Sequence, residues 1–244
     1  MAPPQPSRKI LEIFQPFVDE ILADSNIPVH SVHLVGSALT ADFIETRSDI
    51  NSILVLDRLD TAVLDRLIVL GNRYCASRIA APLVMTPASI SSSLDSFPME
   101  FLSFREIHHT VHGPDILARL EIDRNDLRLQ CERELKSKLF WLRQDYLRWL
   151  GKEEHVREQL IRSMGGCLPL FRGILYLAGG KAEPNQEEIL AGLNRLTGVD
   201  TTVFASILRC KRGAAGAEGE IAASFTAYCA ALEHLMQYVD TFSL

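Results

Sequence analysis

Apolar residues at helical spacing open the chain. Ile10, Leu11, Phe14, Phe17, Val18, Ile21 and Leu22 form one stripe behind Ser7, a residue type that caps helices. Pro16 lies inside that stripe and predicts a kink or a split into two short helices. Asn26-Ile27-Pro28 ends the pattern, and the spacing then changes. Residues 31–35 are a short β-like run closed by Gly36-Ser37, and residues 50–56 are a β-branched apolar run suited to a buried strand. Helical periodicity returns over 60–78 through Val63, Leu64, Leu67, Ile68 and Leu70. Residues 82–85 predict a third strand. Residues 98–106, with Met99 and Phe101 and then Leu102 and Phe104 alternating, predict a fourth.

Beyond residue 123 the strand signal disappears. Leu127, Cys131, Leu135, Leu139, Leu142, Tyr146 and Trp149 recur every three or four residues, the mark of one long helix. Further helical patterns cover 154–178, 186–196, 200–210 and 218–240, separated by Gly179-Gly180, Pro184, Gly198 and a Gly/Ala-rich loop at 213–219. The expected fold class is therefore α+β: a mixed β-sheet with flanking helices over residues 1–118, then an all-α helical bundle over 119–244.

Composition narrows the function classes. A chain of 244 residues has room for one large domain or two modest ones, each with its own core. Mean hydropathy is +0.08, and no segment approaches the ~20 consecutive apolar residues of a membrane span. A net charge of −6 argues against a broad nucleic-acid surface while leaving room for a local basic groove. Cys75, Cys131, Cys167, Cys210 and Cys229 are odd in number, widely spaced and without a C-x-x-C pair, which fits free thiols in a reducing cytoplasm. The Pro-rich start lacks the apolar stretch of a signal peptide and is expected to be a short disordered lead-in.

The chemistry concentrates in Gly36-Ser37-Ala38-Leu39-Thr40-Ala41-Asp42-Phe43, followed by Ser48-Asp49-Ile50-Asn51-Ser52-Ile53-Leu54-Val55-Leu56. A Gly-Ser turn closes one strand, a short loop follows, and an acidic residue opens a second, strongly apolar strand. This arrangement resembles the nucleotidyltransferase superfamily of the DNA polymerase β type. Within it, the chain is most similar to bacterial proteins related to aminoglycoside nucleotidyltransferases, which append a helical domain to the catalytic one. The motif spans about residues 31–56, and the two-part organisation extends the likeness over most of the chain.

That resemblance implies a set of roles. Gly36 would let the backbone approach the phosphates of an NTP, and Ser37 would hydrogen-bond one of them. Asp49 would be the first ligand of Mg²⁺ or Mn²⁺, whose positive charge offsets the triphosphate during transfer. Residue 51 would share its strand face, because alternate strand positions point the same way. Here it is Asn51, an amide where the family carries a carboxylate, so the metal site is one charge short. A third carboxylate is expected on a neighbouring strand, with Glu100 the candidate as metal ligand and as base, and Ser103 close by. Basic residues of the helical half would face the triphosphate across a cleft, with Lys136, Lys138 and Arg143 the candidates, although such a run is also what a solvated face paired with Glu132, Glu134 and Asp145 looks like.

The implied activity is transfer of a nucleoside monophosphate from an NTP to a hydroxyl of a small molecule, weakened or abolished by Asn51. The alternative is a non-catalytic protein, a pseudoenzyme that keeps the fold to sense a nucleotide or to bind a partner. An antitoxin-like module paired with a helical ribonuclease is disfavoured because such modules are shorter. Apolar helical surface is compatible with a homodimer. His108, His109 and His112 form a local cluster in which His108 and His112 could share a helix face, but no Cys- or Glu-rich partner motif accompanies them as in a zinc site. Walker-type, G-x-S-x-G and H-E-x-x-H motifs do not occur.

Overall fold

The computed structural model describes residues 5–181, 185–212 and 221–242. Residues 1–4 of the expected lead-in, the Pro184 break and the 213–219 loop lie outside these residues. The chain divides into two compact units, one formed by Met1–Asp95 with Glu100–Ile122 and the other by Ser96–Met99 with Asp123–Leu244.

The first unit is built on a four-stranded mixed sheet. Its strands are β1 (Val29–Val35), β2 (Asn51–Leu56), β3 (Leu83–Met85) and β4 (His108–His112), in the order β3-β2-β1-β4. β1 pairs antiparallel with β2 and with β4, and β2 pairs parallel with β3. Helix α1 (Arg8–Ala23) starts where the Ser7 side chain accepts from the Ile10 N–H at 3.3 Å. It runs unbroken through Pro16, whose position is exposed, so the carbonyl that loses its partner is on the water side of the helix. Ile10, Phe14, Phe17, Val18 and Ile21 of α1 join Val63 of α2 (Thr61–Tyr74) in one core with Val32, Leu34, Leu54 and Leu56 of the sheet.

The fourth predicted strand is instead helix α4 (Pro98–Glu106), preceded by the short α3 (Pro87–Ser91). Pro98 at the first helical position supplies a preset φ, and Glu100 in the first turn meets the positive end of the helix dipole. These signals outweigh the partial alternation of Met99, Phe101 and Phe104. The fourth strand is the histidine-rich run His108–His112, so His108 and His112 lie on a strand and not on a helix.

Among its described residues beyond 123 the second unit consists of helices and short connections, without a strand. Its members are α5 (Arg124–Arg148), α6 (Glu153–Gly165), α7 (Cys167–Leu177), α8 (Gln186–Thr197), α9 (Thr202–Lys211) and α10 (Ile221–Asp240). Asp123 caps α5, its carboxylate accepting from the N–H groups of Asn125 and Asp126. Leu127, Cys131, Leu135, Leu139 and Leu142 form the buried stripe that the spacing predicts. The single pattern at 154–178 is two helices meeting at Gly166. In the core Phe171, Phe204 and Tyr228 pack ring on ring, with centroids 4.8 and 5.2 Å apart.

Candidate functional site

At the end of β1 the chain turns through a 3-10 segment, Gly36–Leu39. Gly36 has φ +78°, a conformation open to glycine and costly for side-chain-bearing residues. The absent side chain leaves room next to β2: a Cβ at Gly36 would stand 3.9 Å from Asn51 Nδ2. Ser37 follows at the mouth of the turn, half-buried, with its carbonyl accepting from the Thr40 N–H at 2.9 Å.

Asp49 and Asn51 come from the start of β2. Ile50 bridges in parallel to Ile79, its N–H donating to the Arg78 carbonyl at 2.8 Å and its own carbonyl accepting from Ala80 at 3.0 Å. That bridge holds residue 50 extended with its side chain 2 % exposed in the core, so Asp49 and Asn51 project together from the opposite side. Both are solvent-facing. Asn51 lies directly across from Val35, the residue before Gly36. The Gly-Ser turn and the Asp49/Asn51 pair thus meet at one end of one sheet, as the sequence spacing predicts.

The carboxylate set does not extend further. β1, β2, β3 and β4 contain no Asp or Glu. Glu100 sits on α4, so the acidic residue expected on a neighbouring strand is not on a strand at all. Among the described residues no three His, Cys, Asp or Glu side chains gather in a way that could hold a metal ion. Asp49 meets a cation of the chain itself: Arg78 Nε lies 3.7 Å from Asp49 Oδ1. Asn51 contributes only a neutral amide oxygen. One carboxylate, already paired with a guanidinium, is a poor donor set for Mg²⁺, which needs hard, negatively charged oxygens in octahedral order. The residues present do not fit a divalent metal pair.

Two of the basic residues named from sequence, Arg143 and Lys136, have carboxylate partners inside the helical unit. Arg143 Nη2 donates to Glu233 Oε1 on α10, and Lys136 Nζ donates to Glu132 Oε1 one turn back on α5. Lys138 Nζ stands over Gly166, where α6 ends, 2.9 Å from the point a Cβ would occupy there.

Sequence reasoning missed two features. One is Arg78, whose role depends on a backbone turn and on a partner far away in sequence. The other is a polar chain buried on the sheet face that carries Val35. His33 is fully buried and bonds Ser31 Oγ through Nε2 at 2.8 Å and Thr110 Oγ1 through Nδ1 at 2.9 Å. His108 bridges the Arg105 carbonyl at 3.0 Å and Asp115 Oδ1 at 2.9 Å. Burial lowers the His33 pKa to about 4, with the neighbouring His108 adding to the shift. The histidine signal was visible in sequence, but its partners were not.

No protein-family model and no curated protein matches the chain. Among solved structures it is similar to the spectinomycin adenyltransferase AAD(9) of Enterococcus faecialis, determined with ATP and spectinomycin. The match has TM-score 0.54 and 12% sequence identity, and covers 96% of this chain and 100% of that one. A likeness over both full lengths at that identity is a likeness of fold. The chain shares the fold of that nucleotidyltransferase: a mixed sheet with flanking helices and a largely helical C-terminal part.

Proposed function

We propose, from this nucleotidyltransferase fold, that the chain binds an NTP at the Gly36–Ser37 end of the sheet and that its transfer of a nucleoside monophosphate to a small-molecule hydroxyl is impaired. The observation that carries this reading is the meeting of the Gly36 turn with Asp49 and Asn51 on one side of β2, with an amide in the second carboxylate position. Gly36 and Ser37 would contact phosphate, with Lys138 a further candidate for the triphosphate and Arg143 one only if it leaves Glu233. Asp49 and Glu100 are the proposed remnants of the catalytic set, and Mg²⁺ or Mn²⁺ the ion of any residual transfer. A role in the cytoplasm fits the free thiols, and among the described residues no helix is long and apolar enough to cross a membrane. A homodimer would cover Phe140 on α5 and Leu150 just beyond the end of that helix, which are 67% and 84% exposed.

Transfer of radiolabel from an NTP to a panel of small hydroxylated acceptors tests the proposal. Expected is turnover at or near background with Mg²⁺ and Mn²⁺, and a rise in Asn51→Asp. Wild-type turnover comparable to that of transferases with all carboxylates in place would overturn the impairment.

A further inference from the structure

We propose that the solvent face of α5 docks a second copy of this chain, the two α5 helices lying antiparallel across a two-fold axis near residue 138. The inference rests on the reading that the chain forms a homodimer, and deepens it by assigning the face and its register. It is independent of the nucleotide site.

Helix α5 has two apolar sides. Leu127, Cys131, Leu135, Leu139 and Leu142 are buried in the helical unit. A helix with water on its other side carries polar residues there. This one does not. Leu129, Phe140, Trp141 and Leu147 are 59%, 67%, 61% and 73% exposed. Leu129, Ser137, Phe140 and Trp141 border a groove of about 540 Å³ along the same face. Aromatic side chains bury roughly 150–250 Å² each, so these two rings and two leucines offer roughly 500 Å² of apolar surface per copy. A pair would cover roughly 1,000 Å², the size at which specific interfaces begin.

Charge decides which partner fits. Glu132, at the groove, is bonded by Arg128 and Lys136 of the same helix. Arg133 has Glu134 at 3.9 Å. The groove therefore has no single-sign field to attract a nucleic acid or an anionic membrane. Its charges are compensated on the helix itself, and a copy of the face can approach without unpaired like charges meeting.

The order of residues supplies the register. Leu129 and Leu147 are five whole turns apart, on one side of the helix and about 27 Å from each other. Arg133 lies one turn in from the first leucine, Gln144 one turn in from the second, and Ser137 and Phe140 flank the midpoint. A two-fold interface needs a surface that reads alike from both ends. Laid antiparallel about residue 138, Leu129 meets the partner's Leu147, and Arg133 donates to the amide oxygen of the partner's Gln144. Phe140 then fills the space beside the partner's Ser137. A buried aromatic at the centre with polar groups around it is how interface anchors are placed.

Sedimentation equilibrium of the full chain, from low to high micromolar concentration, tests the face and the register. Expected is a mass of twice 27.3 kDa for the wild type, with Phe140→Glu weakening association about 30-fold or more. Gln144→Glu, opposite the partner's Arg133, should tighten it severalfold, and Gln144→Arg should weaken it severalfold. Both positions are exposed in the single chain, so far-UV circular dichroism should not change. If Phe140→Glu does lose helical signal, the Gln144 pair still reads the interface. A dimer that Phe140→Glu leaves intact overturns the face and keeps the homodimer. A dimer moved in the same direction by both Gln144 variants, or by neither, overturns the register and the inference with it. A chain that stays single at every concentration overturns the homodimer and the inference together. If the tryptophan emission of that single chain shifts to the blue on phosphatidylglycerol vesicles, the face belongs to a membrane instead.

Discussion

The side chain that Gly36 lacks would stand 3.9 Å from the Nδ2 of Asn51, an ordinary contact distance, so the space beside the turn is open and the constraint at residue 36 is conformational. Gly36→Ala should therefore destabilise by only about 1 kcal/mol, the cost of a Cβ at φ +78°. Gly113 is the contrast. It too has positive φ, but a Cβ there would lie 2.2 Å from the His30 carbonyl oxygen and 2.9 Å from Ser31 Cα. Gly113→Ala should cost ~3 kcal/mol or more, because backbone atoms cannot step aside. Urea unfolding of the two variants measures the difference, and equal losses would contradict it.

Asn51→Asp would place two carboxylates on the same side of β2. In chelator the variant should melt a little below the wild type, since like charges two strand positions apart repel in partly exposed surroundings. Mn²⁺ should raise its melting temperature and leave the wild type where it was, because ligand linkage stabilises only a state that binds. Melting curves with and without Mn²⁺ check both halves. A wild-type shift equal to that of the variant would count against the poor donor set described above.

Acid should weaken the first unit in a defined window. His33 has its folded pKa lowered from 6.5 to about 4, chiefly by burial. Between those values the unfolded chain binds a proton that the native chain refuses, so stability rises with pH from about 4 to 6.5 and is lost on acidification across the same span. The full effect is roughly 3 kcal/mol, from ~1.4 kcal/mol per pKa unit. Asp115 adds a second loss at lower pH. Burial raises its carboxyl, but the Ala118 N–H and His108 outweigh that and hold it below its ordinary 3.8, so its contribution is present above 3.8 and disappears as pH falls through the lowered value. His33→Gln should flatten the melting-temperature profile between pH 6.5 and 4, whatever it costs at neutral pH.

Tyr228 joins three helices of the second unit. Its hydroxyl is 3.0 Å from Ser163 Oγ on α6 and 3.2 Å from Cys167 Sγ on α7, and the ring is fully buried. Tyr228→Phe removes the hydroxyl without changing the ring packing and should cost about 1–2 kcal/mol. Because burial also pushes the Cys167 thiol upward, a thiol reagent at pH 8 should leave Cys167 unmodified in the native wild type. Early modification of Cys167 would show the cluster opening more readily than its burial implies.

Local signals made much of the fold legible. Ser7 and Gly198 mark helix ends by mechanisms that act within four residues, and both stand where the chain starts or stops a helix. The Gly36 turn and the Asp49-to-Leu56 run also declared themselves, since strand alternation alone aligns Asp49 with Asn51. What failed was arbitration over short apolar stretches. In residues 98–106 the partial alternation of Met99 and Phe101 competes with Pro98 and Glu100, and the helix-start residues prevail. The rest of the site was illegible for a different reason. Arg78 meets Asp49 across 29 positions, and His33 meets Thr110 across 77. No local pattern encodes a pairing that only the sheet creates.

The absence of acidic residues from all four strands bears on how the protein comes to be folded. A sheet that clusters carboxylates must overcome their mutual repulsion as it assembles, and its completion can wait on an ion. Here nothing has to be neutralised while β1, β2, β3 and β4 come together, so refolding should proceed at one rate in chelator and in millimolar divalent salt. Folding of the sheet would then be indifferent to the supply of divalent ions.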